Sequence, residues 1–333
     1  MHLIPPFGQH FRPGVLRPSV LRPSVLRLCV LRLCAIRLCA LSLLVVPGIP
    51  AMGQGGAGAA EGTRYPLAVA VHEDTIYVAD LKLPGVWMVK DNKVSIFYRG
   101  EKKFRTPLNA IRCLAVDKNG RLLAGDSATR NVYRFDEEAK PVALLTNSVG
   151  IGMPMAIVVD SRGDLLVADL ETHRILRVDA KDNSLTPVAN VPAPRGLAID
   201  DQDRLWVVSH GAHQIVRITE KKVERIVEGR PFKFPHHIAL DGEGTIYVAD
   251  GYGKAIWKVK GTAAEKWVTN ESFVNPVGVA WSGDSLLVAD PQANRLLAIS
   301  RDGQVSVRLP ISPAPISPAP ISPPPISPPP ISP

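Results

Sequence analysis

Two arginines and three histidines stand where the chain could do chemistry. Arg112, Arg195 and His236 occupy one place in a recurring phrase, just after a proline position, where the other copies carry Leu67, Met155 and Val277. The place varies while its surroundings repeat, which marks a ligand surface or a position free of constraint. A guanidinium pairs with carboxylate or phosphate through two parallel N–H donors. Two of them beside an imidazole, among apolar neighbours, make a mildly electropositive mouth suited to an anion. His210 and His213 follow the fourth copy, and their convergence with His236 is the one arrangement that offers a transition-metal site. Zinc needs three or four such ligands. Arg112, Met155, Arg195, His210, His213 and His236 are therefore the candidate ligand-binding residues, with His210, His213 and His236 as weak metal candidates. His237 follows His236 on the alternate face of a strand.

Five carboxylates recur as well. Asp80, Asp126, Asp169, Asp250 and Asp290 each end an apolar phrase such as Ile76-Tyr77-Val78-Ala79-Asp80, and Ser209 replaces the acid in the fourth copy. A ring of five carboxylates would draw a cation. A repeated Asp at one place in a unit more commonly caps a turn by accepting backbone N–H groups, and that structural role is expected here.

The elements that position these residues follow from a period of 40 to 46 residues between 65 and 309. Each unit opens with an apolar run (Leu67 to His72, Arg112 to Asp117, Met155 to Asp160, Arg195 to Asp200, His236 to Asp241, Val277 to Ser282), then turn formers such as Asp160-Ser161-Arg162-Gly163, then the Asp phrase. Two further runs follow, the last the most polar. Four antiparallel strands per unit, apolar inside and polar outside, describe a propeller blade. The fold class is all-β, a six-bladed β-propeller with four antiparallel strands per blade. Ring closure is expected from packing between blades 1 and 6, with a short strand from residues 54–64 as an added contribution.

Pro-x, an apolar strand ending in Asp, the Val-Ala-Asp strand and a polar pair before Arg-Ile (Asn131, His173-Arg174, Asn294-Arg295) resemble the NHL repeat over about 245 residues. The resemblance implies the propeller and leaves function open, since similar propellers include lactone hydrolases, an amidating lyase and RNA-binding modules. In the lyase the ring position carries zinc-binding histidines in Pro-His strands, and only Pro235-His236 matches. A calcium-dependent lactonase resembling gluconolactonase or regucalcin would need Glu, Asn and Asp on the inner strands, and Ala68 to Val71, Ala156 to Val159, Gly196 to Ile199 and Ile238 to Leu240 are almost wholly apolar. Calcium and zinc are thus the cofactors the resemblance brings into view, and no motif requires either.

The ends of the chain account for much of its composition. Its 333 residues carry a net charge of +8, yet six of the 39 basic residues and no acid lie in residues 1–53, which leaves 33 basic against 31 acidic side chains in 54–309. A near-neutral body, in a chain with only 6% aromatics, excludes a strongly basic nucleic-acid-binding domain, and no nucleic-acid partner is expected. Residues 1–53 read as a low-complexity pentad repeat leading into Leu38 to Val46 and Ala51-Met52-Gly53, the pattern of a Sec-type signal peptide cleaved near Gly53–Gln54. The apolar run is too short to span a bilayer, so no transmembrane anchor is expected. Residues 54–64 are a linker, 65–309 the propeller, and 310–333 a tail with twelve prolines that should adopt extended polyproline II. Cys113 is expected as a buried thiol.

Together these features describe an exported, monomeric binding or scaffolding module, periplasmic, cell-surface or extracellular, that recognises a protein or small anion at one mouth of its channel. The rival is a metal-dependent, lactonase-like hydrolase or lyase of the same propeller class.

Overall fold

The computed structural model describes residues 65–103, 105–136, 139–145, 150–219 and 222–309. The leader, the linker at 54–64 and the proline-rich tail lie outside the described residues. Six four-stranded antiparallel sheets follow one another along the chain, each with its strands in sequence order. In blade 1 these are Pro66–His72, Thr75–Asp80, Gly85–Lys90 and Lys93–Arg99. The inner strands of blades 2 to 6 are Ile111–Val116, Pro154–Val159, Pro194–Ile199, Pro235–Leu240 and Gly278–Ser282. The protein is a six-bladed β-propeller, and no helix among the described residues is long and apolar enough to cross a membrane.

The turn between first and second strands shows why these sequences make hairpins. In blades 2 to 5, Asp117, Asp160, Asp200 and Asp241 each accept the backbone N–H groups two and four residues on. This closes the turn around a residue with positive φ, namely Gly120, Gly163, Asp203 or Gly244. The Asp side chain thus replaces ladder bonds that the reversing chain gives up.

Core packing runs between blades rather than within one central mass. Each of the six hydrophobic clusters joins neighbouring blades. The seam between the last blade and the first is one of them: Val69, Ile76, Val78 and Trp87 pack against Leu287, Ala289 and Leu296 with no shared sheet. Cys113 is 1% exposed in the seam between blades 2 and 3, and burial pushes its thiol up to about 12. It is a small apolar residue here, with no thiolate to offer.

Inner strands approach closely enough to require glycine at two seams. A Cβ on Gly278 would stand 2.7 Å from Leu67 O and 3.0 Å from Ala68 Cα; one on Gly196 would stand 2.7 Å from His237 Cα. The obstacles are backbone atoms that cannot rotate away. Gly278→Ala is therefore expected to destabilise the propeller by about 1–3 kcal/mol, the usual cost of overpacking, read as a lower denaturation midpoint with an unchanged slope. An unchanged midpoint would show that the closing seam is looser than this packing implies.

Candidate functional site

The repeated carboxylates and the variable ring meet at one mouth of the channel. Pro66, Ile111, Pro154, Pro194 and Pro235 pair with Asp80, Asp126, Asp169, Ser209 and Asp250, and in each case the register shifts before the next paired residue. The skipped residues are Leu67, Arg112, Met155, Arg195 and His236. Each is thus a β-bulge at the rim, the device that re-aims a side chain off the sheet. In four of the five blades the paired residue is a proline, which has no N–H for the ladder; blade 2 bulges at the same place with Ile111.

The acids hold these bulges in place. Asp126 accepts the N–H groups of Leu108, Ala110, Ala128 and Thr129; Asp169 those of Gly152, Met153, Glu171 and Thr172; Asp250 those of Lys233, Phe234 and Gly253. Asp80 and Asp290 do the same for Tyr65, Lys82 and Leu83, and for Val274, Asn275 and Ala293. All five are 0% exposed. Each ties the loop that leads into its blade to the turn that leaves its second strand, so these acids are staples of the rim. At Asp169 burial pushes the carboxyl up, and the Thr172 hydroxyl with the Gly152, Met153 and Thr172 amides outweighs it, leaving the group below its ordinary value.

The fourth blade shows how the acid is replaced. Ser209 Oγ donates to Pro192 O at 2.5 Å and accepts Gly211 N–H at 2.8 Å. The Ala193 amide, which an Asp would have taken, donates instead to Nδ1 of His173 on the preceding blade at 2.9 Å.

Leu67, Arg112, Met155, Arg195, His236 and Val277 all border one cavity of about 380 Å³, completed on its polar side by Tyr65, Lys82, His237 and Asn275. Among the described residues its lining holds three cations and no carboxylate. Arg112 is steadied by Ser127, its Nε donating to Oγ at 3.1 Å. The Arg195 guanidinium lies 5.5 Å over the Phe234 ring. Burial lowers the pKa of Arg195, and the charge of Arg112 lowers it further. Two guanidiniums at one mouth, with no acid among the described lining residues, leave positive potential for an incoming anion.

His236 and His237 both border this cavity, where strict strand alternation would turn one of them away; the bulge at His236 breaks the alternation. Burial, then Arg195, His210 and His237, pull His236 down to about 3. Burial pulls His237 down to about 4, against a hydrogen bond to the Val279 backbone. A histidine held below its unfolded value of about 6.5 takes protons preferentially in the unfolded chain, so these two make stability fall as pH drops from about 6.5 towards 4. In imidazole NMR spectra both are expected to keep neutral-form shifts down to about pH 5; protonation of either at pH 6 would contradict the buried setting.

The expected convergence of His210, His213 and His236 does not occur. His210 and His236 have ring centroids 6.3 Å apart, Nε2 of His210 is engaged by Pro235 O at 2.7 Å, and His213 does not border the cavity. Next to His213, Gln214 is buried and clasps both backbone groups of Phe232, which fixes this turn. Among the described residues no group of three or more His, Cys, Asp or Glu is placed to hold a metal. The donor chemistry does not fit calcium either, which takes six to eight oxygens, because the cavity lining carries guanidinium and ammonium groups and no carboxylate.

Five contributors escaped the reading of the sequence: Tyr65, Lys82, Phe234, Asn275 and Tyr252. Phe234 sits at the centre of an aromatic rim, 4.1 Å from His210, 4.9 Å from His236 and stacked at 4.4 Å on Tyr252, which is 64% exposed. Tyr65, Phe234 and Asn275 all stand immediately before the proline of their blade, where Ala110, Met153 and Ala193 stand in the others. That is a second variable ring, legible by the same criterion as the first.

No protein-family model and no curated protein matches the chain. Solved structures share its fold at low identity. It resembles a gluconolactonase from Xanthomonas campestris at 15% identity and a TM-score of 0.62, over 74% of this chain and 87% of that one. It resembles virginiamycin B lyase from Staphylococcus aureus at 17% identity and a TM-score of 0.57, over 77% and 86%. A chain of the nidogen/laminin complex is similar at 17% identity and a TM-score of 0.57, over 65% and 84%. A gluconolactonase, a lyase and a chain of a two-protein complex at comparable distance support the six-bladed propeller fold and leave function to be argued from the mouth.

Proposed function

We propose that this chain is an exported, NHL-type propeller that binds a small organic anion in the mouth of its channel. One observation carries the reading: a cavity of about 380 Å³ to which the blades contribute their variable rim residues, with Arg112 and Arg195 among them and no carboxylate among the described lining residues. The volume is at the lower end of small-molecule sites, which favours a compact ligand over a flat protein face. Arg–carboxylate geometry supplies orientation as well as energy. Export is supported by the composition of residues 1–53.

Calorimetric titration of the mature chain with small carboxylates tests it directly. Binding that weakens with rising salt supports an anion held by exposed and half-buried cations; no heat with any carboxylate at millimolar concentration overturns it. The rival, a metal-dependent hydrolase or lyase, makes a different demand. Stoichiometric calcium or zinc in the purified protein, lost on His236→Ala together with an activity, would replace the binding reading.

A further inference from the structure

One place in the repeat carries a cation in four consecutive blades, and the blades differ in what neutralises it. On the third strands of blades 2 to 5, Arg134, Arg177, Arg217 and Lys258 pair with Leu123, Leu166, Trp206 and Tyr247, each the second residue of its strand. Arg177 is held by Asp160 at 2.9 Å and Asp164 at 2.8 Å. Arg217 is held at 2.7 Å by Glu224, its partner on the fourth strand, and lies 5.1 Å over the Trp206 ring. Lys258 lies 4.2 Å over the Trp267 ring.

Arg134 has neither an acid nor a ring among the described residues, and the repeat shows why. Blade 2 has Arg121 where blade 3 has Asp164, and Arg121 takes Asp117, the acid that opens the turn, at 2.8 Å. Blade 4 makes the same exchange, with Arg204 on Asp200 at 2.7 Å, and supplies Glu224 to its third-strand arginine instead. In blade 2 the residue facing Arg134 on the fourth strand is Val142. One cation is left over.

That cation borders a cavity of about 270 Å³ between blades 2 and 3, with Arg121, Lys118 and Arg162 also in its lining. The hairpin turns at 117–121 and 179–183 frame it, so it opens at the far ends of the inner strands, opposite the mouth. Two acids border it as well: Asp117 is engaged by Arg121, and Asp179 accepts the N–H groups of Lys181 and Asp182. Arg162 is engaged by Asp160 and Asp164, and Lys118 donates to the neutral Ser161 carbonyl, which leaves its charge unmatched. We propose that this cavity is a second anion site, taking a compact oxyanion of the phosphate class, free or as the phosphoryl group of a larger molecule, with Arg134 as its anchor. A guanidinium fork matches two phosphate oxygens. Cations from two blades surround the space, and a tetrahedral ion offers oxygens in more directions than the two of a planar carboxylate. No lining residue is shared with the mouth, so the two sites stand or fall separately.

Calorimetric titration with inorganic phosphate and with O-phosphoserine tests this, in an Arg195→Met background that removes the anchor proposed for the mouth. Arg134→Met should weaken phosphate by at least about tenfold, the loss of a charge-assisted bond. Val142→Glu should weaken it by a similar factor while keeping the arginine, because it gives Arg134 the partner that Arg217 has; Val142 is 52% exposed, so the exchange disturbs little packing. Phosphoserine binding as well as phosphate assigns the phosphoryl group of a larger molecule, and its exclusion assigns the free ion; either result supports the site. No heat with either probe at millimolar concentration overturns it, as do phosphate affinities that stay within about twofold in both variants. Acetate binding as tightly as phosphate overturns the choice of oxyanion. Should Arg134→Met lose its β-sheet circular dichroism, Val142→Glu decides.

Discussion

Asp169→Ala is expected to lower the stability of the propeller by at least about 3 kcal/mol at pH 7. One carboxylate with no exposed surface accepts four backbone N–H groups and the Thr172 hydroxyl. Hydrogen bonds to a charged group contribute roughly 1.5–3 kcal/mol each, and donors left unpaired in the interior add a desolvation cost. The loss is not additive over five bonds, because the freed loop can relax towards water, so the expected value is set near the effect of breaking one buried network. The pH dependence carries the sign. The folded carboxyl lies below its unfolded value of 3.8, so its contribution is fully present above that value and is lost as pH falls through the lower folded one. The gap between wild type and Asp169→Ala, measured by chemical denaturation, should therefore be widest at neutral pH and narrow in acid. A gap below 1 kcal/mol at pH 7 would show that the rim loops do not depend on the acid. Asp169→Ser should fall between the two, because blade 4 shows a serine in this place working with a nearby carbonyl and a histidine from the preceding blade.

Arg195→Met should move binding and stability in opposite directions. The guanidinium is half-buried, with one nitrogen unpaired, no acid in the cavity and Arg112 near enough to oppose its charge. Without ligand it is a cost to the fold, so its removal is expected to stabilise the ligand-free propeller by about 1 kcal/mol. With ligand it is the principal anchor. Losing a charge-assisted bond of about 1.5–3 kcal/mol should weaken a carboxylate ligand roughly 10- to 150-fold. Arg195→Lys keeps the charge and loses the planar fork, so it should recover only part of the affinity. Calorimetry and denaturation of the same preparations check both signs. A variant that binds as wild type, or one that is less stable without ligand, would remove Arg195 from the proposed role.

The fold was legible because the repeat carries it at every level. The apolar second strand, the Asp-led turn of blades 2 to 5 and the proline at the entry of five of the six inner strands recur in phase, and each corresponds to a ladder, a closed turn or a stapled loop in the structure. The mouth was legible only in part. Arg112, Met155, Arg195 and His236 stood out because they vary, and they do share one cavity. That they are bulges was hidden, since a register shift is a property of two strands paired and no single strand displays it. The three-histidine cluster failed for a different reason: closeness in sequence says nothing about which ring nitrogen is already taken, and His210 spends its own on Pro235. Asn275 was missed because it reads as a loop residue, and its importance comes from burial that a tertiary contact with Gly251 imposes.

The seam that closes the ring runs beneath the mouth. Leu67 and Ala68 come from the first blade, Asn275 and Val277 from the approach to the last, and no strand is exchanged between them. A molecule seated there touches both sides of a joint that, among the described residues, is held by packing without a shared sheet. It acts as a clasp across the two ends of the array, so occupancy and closure share one free energy, and whatever fills the channel also resists the opening of the ring.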